Sequence, residues 1–425
     1  MSKIPKGTRD FLPQEQIKRE IIIDKIKNVF RKWGFDPIET PTFEYYKTLS
    51  GKYGEEGEKL IYKFLDLGGR ELGLKYDLTV PLARFFNDHQ NEIVKPFKRY
   101  QIQPVFRAEK PQKGRYREFY QCDIDIVGSK NLLSDITIIL TINAALKEIG
   151  IENFVIKINH RRIFKSISKK FRIEGREIEL ARIVDKLEKI GLEGVKNQML
   201  EKNFNEDIVN GVINIISNKF QLEELRKFFN DDEFEIAYNE LNEIFKYLKK
   251  FNVNFEFDVS LARGLDYYTG MIFETKILNY EIGSIASGGR YDNLIEIFTG
   301  YKVPAVGGSI GIDRLLTALN EMNLFNKRKT WTDILITFVK YEDEMISYGL
   351  KILEKLQNLN YNVDIYCGDK DLRGQLGYAN EKGIKIAIII GEDEVKNNKV
   401  IVKFLEENYQ KEVNLDELEK CLNSK

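Results

Sequence analysis

The stretch KRYQIQPVFRAEKPQKGRYREFYQCDIDIVG, residues 98–128, constrains the fold of this chain more than any other. Two runs of alternating polar and apolar residues, 103–107 and 117–127, flank a segment that contains Pro111 and Gly114. A period of two on either side of a turn-prone segment predicts two antiparallel strands joined by a long loop. Arg107 and Glu109 then stand at the end of the first strand, facing Phe119, Gln121, Asp123 and Asp125 on the second. On the second strand Arg117, Phe119, Gln121, Asp123 and Asp125 share one face, and Tyr120, Cys122, Ile124 and Ile126 share the other. The even-numbered face reads as core. The odd-numbered face sets an aromatic plate, an amide and two carboxylates beside guanidinium groups, a set that is costly to desolvate for structure alone. Two readings stand: a pocket for a ligand with both anionic and cationic groups, or an edge hairpin whose charged face is solvated and salt-bridged.

The rest of the chain narrows the possibilities. At 425 residues and 43% hydrophobic content it has room for two or three domains with real cores. Lys plus Arg and Asp plus Glu both total 66, so a nucleic acid partner would be met by local patches and not by a global positive field. No apolar run approaches the length of a membrane span, and MSKIPKGTRDFLPQ lacks the apolar core of a signal peptide. These features predict a soluble, cytoplasmic protein without a membrane partner. Cys122, Cys367 and Cys421 are far apart, and His89 and His160 are isolated. That spacing suits neither a disulfide framework nor a zinc site, so no protein metal site is expected. There is no GxxxxGK phosphate loop.

Taken in order, the pattern predicts a helix over 14–33, with Ile22, Ile26, Val29, Phe30 and Trp33 on one stripe, then a short extended piece at 38–40 bounded by prolines. Residues 45–73 are rich in glycine and charge and read as a mobile loop leading to a strand at 61–66. In LKYDLTVPLARFF, Asp77 and Thr79 would share a face if extended and present a carboxylate and a hydroxyl to a ligand amine. Equally, Asp77 could cap the helix that begins near Thr79. A helix at 132–149 and a strand at 154–159 follow, and 165–250 changes to charged helical stretches that read as a separate insertion.

Glycine-rich turns return after Asn252, in ARGLDYYTGMIFE, SGGRYDNL and GGSIGIDRL. Arg314, at the start of a helix after the last of these, is placed either to bind phosphate or to sit on a helix surface. Beyond a basic linker at 327–329, strands and helices alternate in a last domain of about 95 residues, expected to hold a mostly parallel sheet and to bind a partner.

Assembled, these pieces resemble the histidyl-tRNA synthetases along nearly the whole chain. The resemblance rests on KGTRDFLP, YDLTVPLAR, the 98–128 block, ARGLDYYTGMIFE, SGGRYDNL and GGSIGIDRL. RGLDYYTG and GGRYD are particular to that family and its few relatives. FRxE and the final GxxR are shared across class II synthetases.

The resemblance implies an α+β fold: an antiparallel class II catalytic core over 1–328, interrupted by a helical insertion at 165–250, then an α/β anticodon-binding domain at 329–425. It implies a homodimer with histidine, ATP and tRNA(His) as partners, and magnesium arriving with the ATP. Histidine would be activated to histidyl-adenylate and passed to the tRNA 3′ end.

By the same resemblance Arg263 and Arg107 act at the α-phosphate. Glu109, Arg115, Phe119 and Arg314 contact the rest of ATP. Asp77, Thr79 and Gln121 take the α-amino group of histidine, and Asp125, Tyr267, Tyr268 and Tyr291 the imidazole side. Gln112, Lys113 and Arg115 in the hairpin loop are either acceptor-stem contacts or merely solvated loop residues. Asp123 shares the face but receives no role. Ala262, Gly308 and Asp313 depart from the commoner family residues without removing a named contact. The rival reading is a synthetase-like regulatory subunit of ATP phosphoribosyltransferase, which typically lacks the last domain.

Overall fold

The computed structural model describes residues 3–112, 114–218, 220–262, 267–324 and 328–423. The chain forms two compact units, Met1–Arg9 with Ile22–Leu324, and Asp10–Ile21 with Phe325–Lys425.

The first unit is built on an eight-stranded sheet. Its strands are β1 (Asp36–Pro37), β2 (Phe97–Phe106), β3 (Glu118–Val127), β4 (Phe154–His160), β5 (Phe255–Phe257), β6 (Met271–Ile277), β7 (Ala286–Arg290) and β8 (Ala305–Gly311). They run in the order β1-β2-β3-β8-β7-β6-β4-β5. β1 and β5, at the two edges, pair parallel to their neighbours, and every pairing between them is antiparallel.

The long hairpin expected from the alternation is β2 and β3, with Val105 opposite Phe119 and Arg99 opposite Asp125. Its first strand starts six residues earlier than expected, at Phe97. The extended piece expected at 38–40 is instead β1 at Asp36–Pro37, followed by Ile38 donating its amide to Tyr100.

Helix α1 (Pro13–Lys32) opens the chain. Helix α2 (Thr79–His89) follows the three-stranded sheet of Phe43–Tyr45, Glu71–Leu74 and Lys63–Leu65. The stretch expected to be a mobile loop contains two short helices, Tyr46–Leu49 and Gly54–Glu58. Leu49, Tyr53 and Ile61 explain the difference: all three are buried in one cluster with Val80, Phe86 and Leu294. Apolar anchors spaced this widely among glycines leave no periodic signal.

Helix α3 (Leu133–Ile149) packs across β3, β7 and β8 and ends at Gly150, whose φ of 100° lets its amide close back on Leu146 and Lys147. Gly308 of β8 brings that helix close to the sheet. A Cβ there would lie 2.8 Å from the fully buried Phe273 ring and 3.3 Å from Ile138 of α3. Between Arg161 and Lys250 every described element is a helix, and the last of them, Asp232–Lys250, packs back on α3, β4 and β6. Helix α4 (Ile312–Glu321) follows β8 directly.

The second unit has a five-stranded sheet of β9 (Ile334–Phe338), β10 (Val363–Ile365), β11 (Ile386–Ile390), β12 (Lys399–Phe404) and β13 (Tyr409–Asn414), in the order β10-β9-β11-β12-β13. The expected mostly parallel sheet is parallel only at β10-β9-β11. The other two pairings are antiparallel. Residues 391–398 are too few for the dozen or more that a parallel crossover needs. The α+β class expected from the sequence holds for the chain as a whole.

One buried ion pair ties α3 to the large sheet. Arg290 of β7 donates through Nε and Nη2 to Asp135 in the first turn of α3, and both side chains are almost fully buried. Arg290→Leu would leave the Asp135 carboxyl buried without its partner. It is expected to lower the free energy of unfolding by about 3–5 kcal/mol, to be read from denaturant titration.

Candidate active site

Alternation along β2 and β3 and the register of β8 place one continuous polar surface on the large sheet. Arg99, Gln101 and Gln103 stand on β2, Gln121, Asp123 and Asp125 on β3, and Ser309 faces Asp123 from β8. Asp125 is 2% exposed. Its Oδ1 accepts from the Tyr291 hydroxyl, and Arg99 Nη2 lies 2.7 Å from its Oδ2 in an ion pair that lacks hydrogen-bond alignment. Burial raises the Asp125 pKa, and the Arg99 charge opposes that rise. Gly307, directly opposite on β8, makes room for this carboxyl: a Cβ there would fall 1.8 Å from Oδ1.

Asp77 forms the other acidic pole and is also 2% exposed. Its Oδ1 accepts from the amides of Thr79 and Val80 at 3.2 and 3.0 Å, so it caps α2. The same oxygen accepts from the Tyr53 hydroxyl at 3.0 Å, and Oδ2 lies 3.5 Å from the Tyr267 hydroxyl. The capping reading and a ligand role are therefore compatible, since Oδ2 is only loosely held. Burial raises the pKa of Asp77 and pushes those of Tyr53, Tyr267 and Tyr291 well up.

Tyrosine rings join the two poles. Tyr267 packs against Tyr268 with centroids 4.9 Å apart and edge-on to Tyr291 at 5.9 Å. An aromatic belt thus runs between two buried carboxylates, with one phenol hydroxyl on Asp125 and two near Asp77.

The second group of residues lies at the open end of the hairpin. The Arg107 guanidinium sits 4.3 Å from the centre of the Tyr76 ring and 5.1 Å from that of Phe119, with Nε donating to the Tyr76 carbonyl at 3.2 Å. Glu109 and Arg115 form a loose ion pair at 3.6 Å. Arg314, in the first turn of α4, donates Nη1 to the Ser284 carbonyl and lies beside Gly114 of the hairpin loop.

The KGTRD segment near the start of the chain packs against this end of the hairpin. Arg9 stacks on Tyr116 at 3.3 Å and pairs with Asp313, which also accepts from the Tyr120 amide at 2.8 Å. The Gly7 carbonyl accepts from the Arg117 amide at 2.8 Å. The start of the chain is thereby strapped to the hairpin loop and to α4.

A family model described as Histidyl-tRNA synthetase matches residues 7–315, and one described as Anticodon binding domain matches 333–425. The chain belongs to the histidyl-tRNA synthetase family. It is 40% identical to the histidine–tRNA ligase of Cytophaga hutchinsonii over 98% of both chains. It is also 40% identical to that of Phocaeicola vulgatus, over 98% of this chain and 97% of the relative. The crystal structure of histidyl-tRNA synthetase from Nostoc sp. PCC 7120 superposes with a TM-score of 0.85 at 32% identity, covering 100% of this chain and 99% of that one.

Within this synthetase fold the residues singled out for histidine, Asp77, Thr79, Gln121, Asp125, Tyr267, Tyr268 and Tyr291, gather along the belt and on the polar face. Arg107, Glu109, Arg115, Phe119 and Arg314 gather at the hairpin end. Arg263 and Lys113 lie outside the described residues. Sequence reasoning missed Arg99, Tyr53, Gly307 and Ser309. For Arg99 the signal was present, because Arg99, Gln101 and Gln103 alternate in phase with 121, 123 and 125 across the hairpin. For Tyr53 there was none.

Asp123 on the same face is 3% exposed. Burial raises its pKa from 3.8 to about 7, Arg99 opposes the shift, and the charges of Asp125 and Asp77 add to it. The folded chain therefore keeps this proton at pH values where the unfolded chain has lost it. Its contribution to stability falls as pH rises through the window from about 4 to about 7. Asp123→Asn removes the titration, so its melting temperature relative to the parent protein is expected to gain more at pH 8 than at pH 5. An equal shift at both pH values would show that the carboxyl ionises normally.

Proposed function

We propose that this chain, a histidine–tRNA ligase, carries out both half-reactions with the residues gathered on its large sheet. In the first, a carboxylate oxygen of histidine attacks the α-phosphorus of ATP, the bond to the bridging oxygen breaks, and pyrophosphate leaves. In the second, the terminal ribose hydroxyl of tRNA(His) attacks the carbonyl carbon of the adenylate and AMP leaves. Negative charge builds on phosphate oxygens in the first step, so cations fixed in advance matter more than acid–base groups.

The observation that carries the reading is the tyrosine belt between the buried carboxylates Asp77 and Asp125. Histidine offers an ammonium at one end and a ring with two nitrogens at the other. Asp77, Thr79 and Gln121 receive the ammonium. Asp125, its free lone pairs turned by Tyr291 and Arg99, accepts a ring N–H, while the Tyr268 hydroxyl serves the other ring nitrogen and Tyr267 closes the side. A side chain without those nitrogens would leave buried polar groups unpaired, which is a strong basis for rejection.

On the ATP side, Arg107 and Arg263 hold the α-phosphate, Arg314 the γ-phosphate, and Phe119 stacks on adenine with Glu109 at its amino group and Arg115 near the phosphates. Magnesium belongs to the ATP substrate. Among the described residues no group of three or more His, Cys, Asp or Glu is arranged to hold a metal ion, and no step is assigned to one.

The same proposal takes 1–328 as the catalytic core with 165–250 as its helical insertion, 329–425 as the anticodon reader, and the working form as a cytoplasmic homodimer. Among the described residues no helix is long and apolar enough to cross a membrane. The regulatory-subunit reading is less supported, since the anticodon-binding match is present and the relatives named above are histidine–tRNA ligases.

The purified protein is expected to exchange pyrophosphate into ATP only when histidine is supplied among the twenty amino acids. A folded protein that shows no histidine-dependent exchange would overturn the reading. Arg263→Ala is expected to cut exchange by at least about a hundredfold, as loss of one electrostatic transition-state group does. Near-normal exchange would remove Arg263 from the phosphate chemistry.

A further inference from the structure

Asp123 and Ser309 receive no ligand in the reading above, yet they stand on the face that carries Gln121 and Asp125. Gln121 is 8% exposed, and its Nε2 donates to Asp123 Oδ1 at 3.3 Å and to Ser309 Oγ at 2.9 Å. Both hydrogens of that amide nitrogen are thereby used. Its Oε1, by contrast, is buried and has no hydrogen-bond partner. A buried carbonyl oxygen without a donor is costly, and such an oxygen in a native site points to a donor that arrives with a ligand.

We infer that Asp123, together with Ser309, is a positioning residue for amino-acid recognition: it locks the Gln121 amide with nitrogen inward and presents Oε1 to the α-ammonium of the substrate. The two ends of a glutamine amide have nearly the same shape but opposite polarity. Only a neighbour of fixed polarity can decide which end meets a cation. Above about pH 7 the Asp123 carboxyl is ionised, has no hydrogen to donate and so selects the NH2 end, whereas a hydroxyl such as Ser309 can turn to suit either. Gln101, opposite Asp123 on β2, does not compete for this oxygen, because its Nε2 already donates to Thr40 Oγ1 and Gln103 Oε1. Asp123 therefore acts through Gln121 and touches no reacting atom. The inference rests on the assignment of Gln121 to the substrate ammonium.

The test is steady-state pyrophosphate exchange by the full chain at pH 8, where Asp123 is ionised, with 3-(imidazol-4-yl)propanoate, which lacks the amine, as a competing inhibitor. Asp123→Leu removes the fixed acceptor. It is expected to raise KM for histidine about tenfold, the equivalent of one lost charge-assisted hydrogen bond, without raising KM for ATP or Ki for the amine-free inhibitor. Asp123→Asn can present either end of its own amide, so it fixes the polarity less firmly than the carboxylate and is expected to raise histidine KM by less than Asp123→Leu does. Ser309→Ala barely changes the buried volume and reads the same tether if the leucine variant does not fold, with an expected rise in histidine KM of about threefold.

Weakening of histidine and inhibitor together, or no change in histidine KM in either variant, overturns the inference. Gln121→Leu separates the two levels. If its loss is amine-selective while those of Asp123→Leu and Ser309→Ala are not, only the positioning role falls. If Gln121→Leu weakens both ligands equally, the ammonium contact falls and the positioning role with it.

Discussion

A carboxylate at Asp125 with almost no access to water is tolerable only because of what surrounds it. Arg99, itself fully buried, supplies the opposite charge, and Tyr291 supplies a hydroxyl. The Arg99 guanidinium is in turn anchored on Gln101 Oε1 and the Leu78 carbonyl. Removing either the charge or the donors would leave an ion in a low-dielectric interior, and groups in that position neutralise or force the structure apart. Much else in the large sheet follows from this requirement. The strand facing Asp125 must carry glycine at 307, because any side chain would occupy the space of the carboxyl.

The same logic extends along the face. Gln103 Oε1 accepts from Lys75 and from Gln101 Nε2, Gln101 Nε2 also donates to Thr40 Oγ1, and Gln103 Nε2 donates to Glu39, so the polar side chains of β2 are cross-linked to one another. Lys75, fully buried, has its pKa lowered to about 8 by that burial. A network of this kind is held rigid by mutual hydrogen bonding. At the hairpin end the requirement differs. Arg107 is held between two aromatic rings and one carbonyl, and the loop beyond it is strapped by Arg9 and Asp313. The ring faces and the carbonyl fix the direction of the Arg107 guanidinium.

Much of the fold was legible along the chain. The β2–β3 hairpin, α3 with its terminal glycine, and the strand–helix alternation of the second unit all follow from local periodicity and stop signals. What failed was where spacing was irregular or long range. The helices at Tyr46–Leu49 and Gly54–Glu58 are held by Leu49 and Tyr53 reaching a core formed by residues far away in sequence. The antiparallel half of the second sheet depends on a connection length and not on the strand pattern.

For the site, the alternation on β3 was enough to put Phe119, Gln121, Asp123 and Asp125 on one face, because a pleated strand has a period of two whatever its neighbours. The motifs were enough to name the family. Sequence alone left open whether Asp77 caps a helix or serves a ligand, and whether the charged face is wet or buried. Only the tertiary structure shows that Asp77 caps α2 and that the charged face is buried. Burial, hydrogen-bond polarity and the space beside a carboxyl are set by residues such as Tyr53, Arg99, Tyr291 and Gly307, which chain order keeps apart and the sheet register brings together.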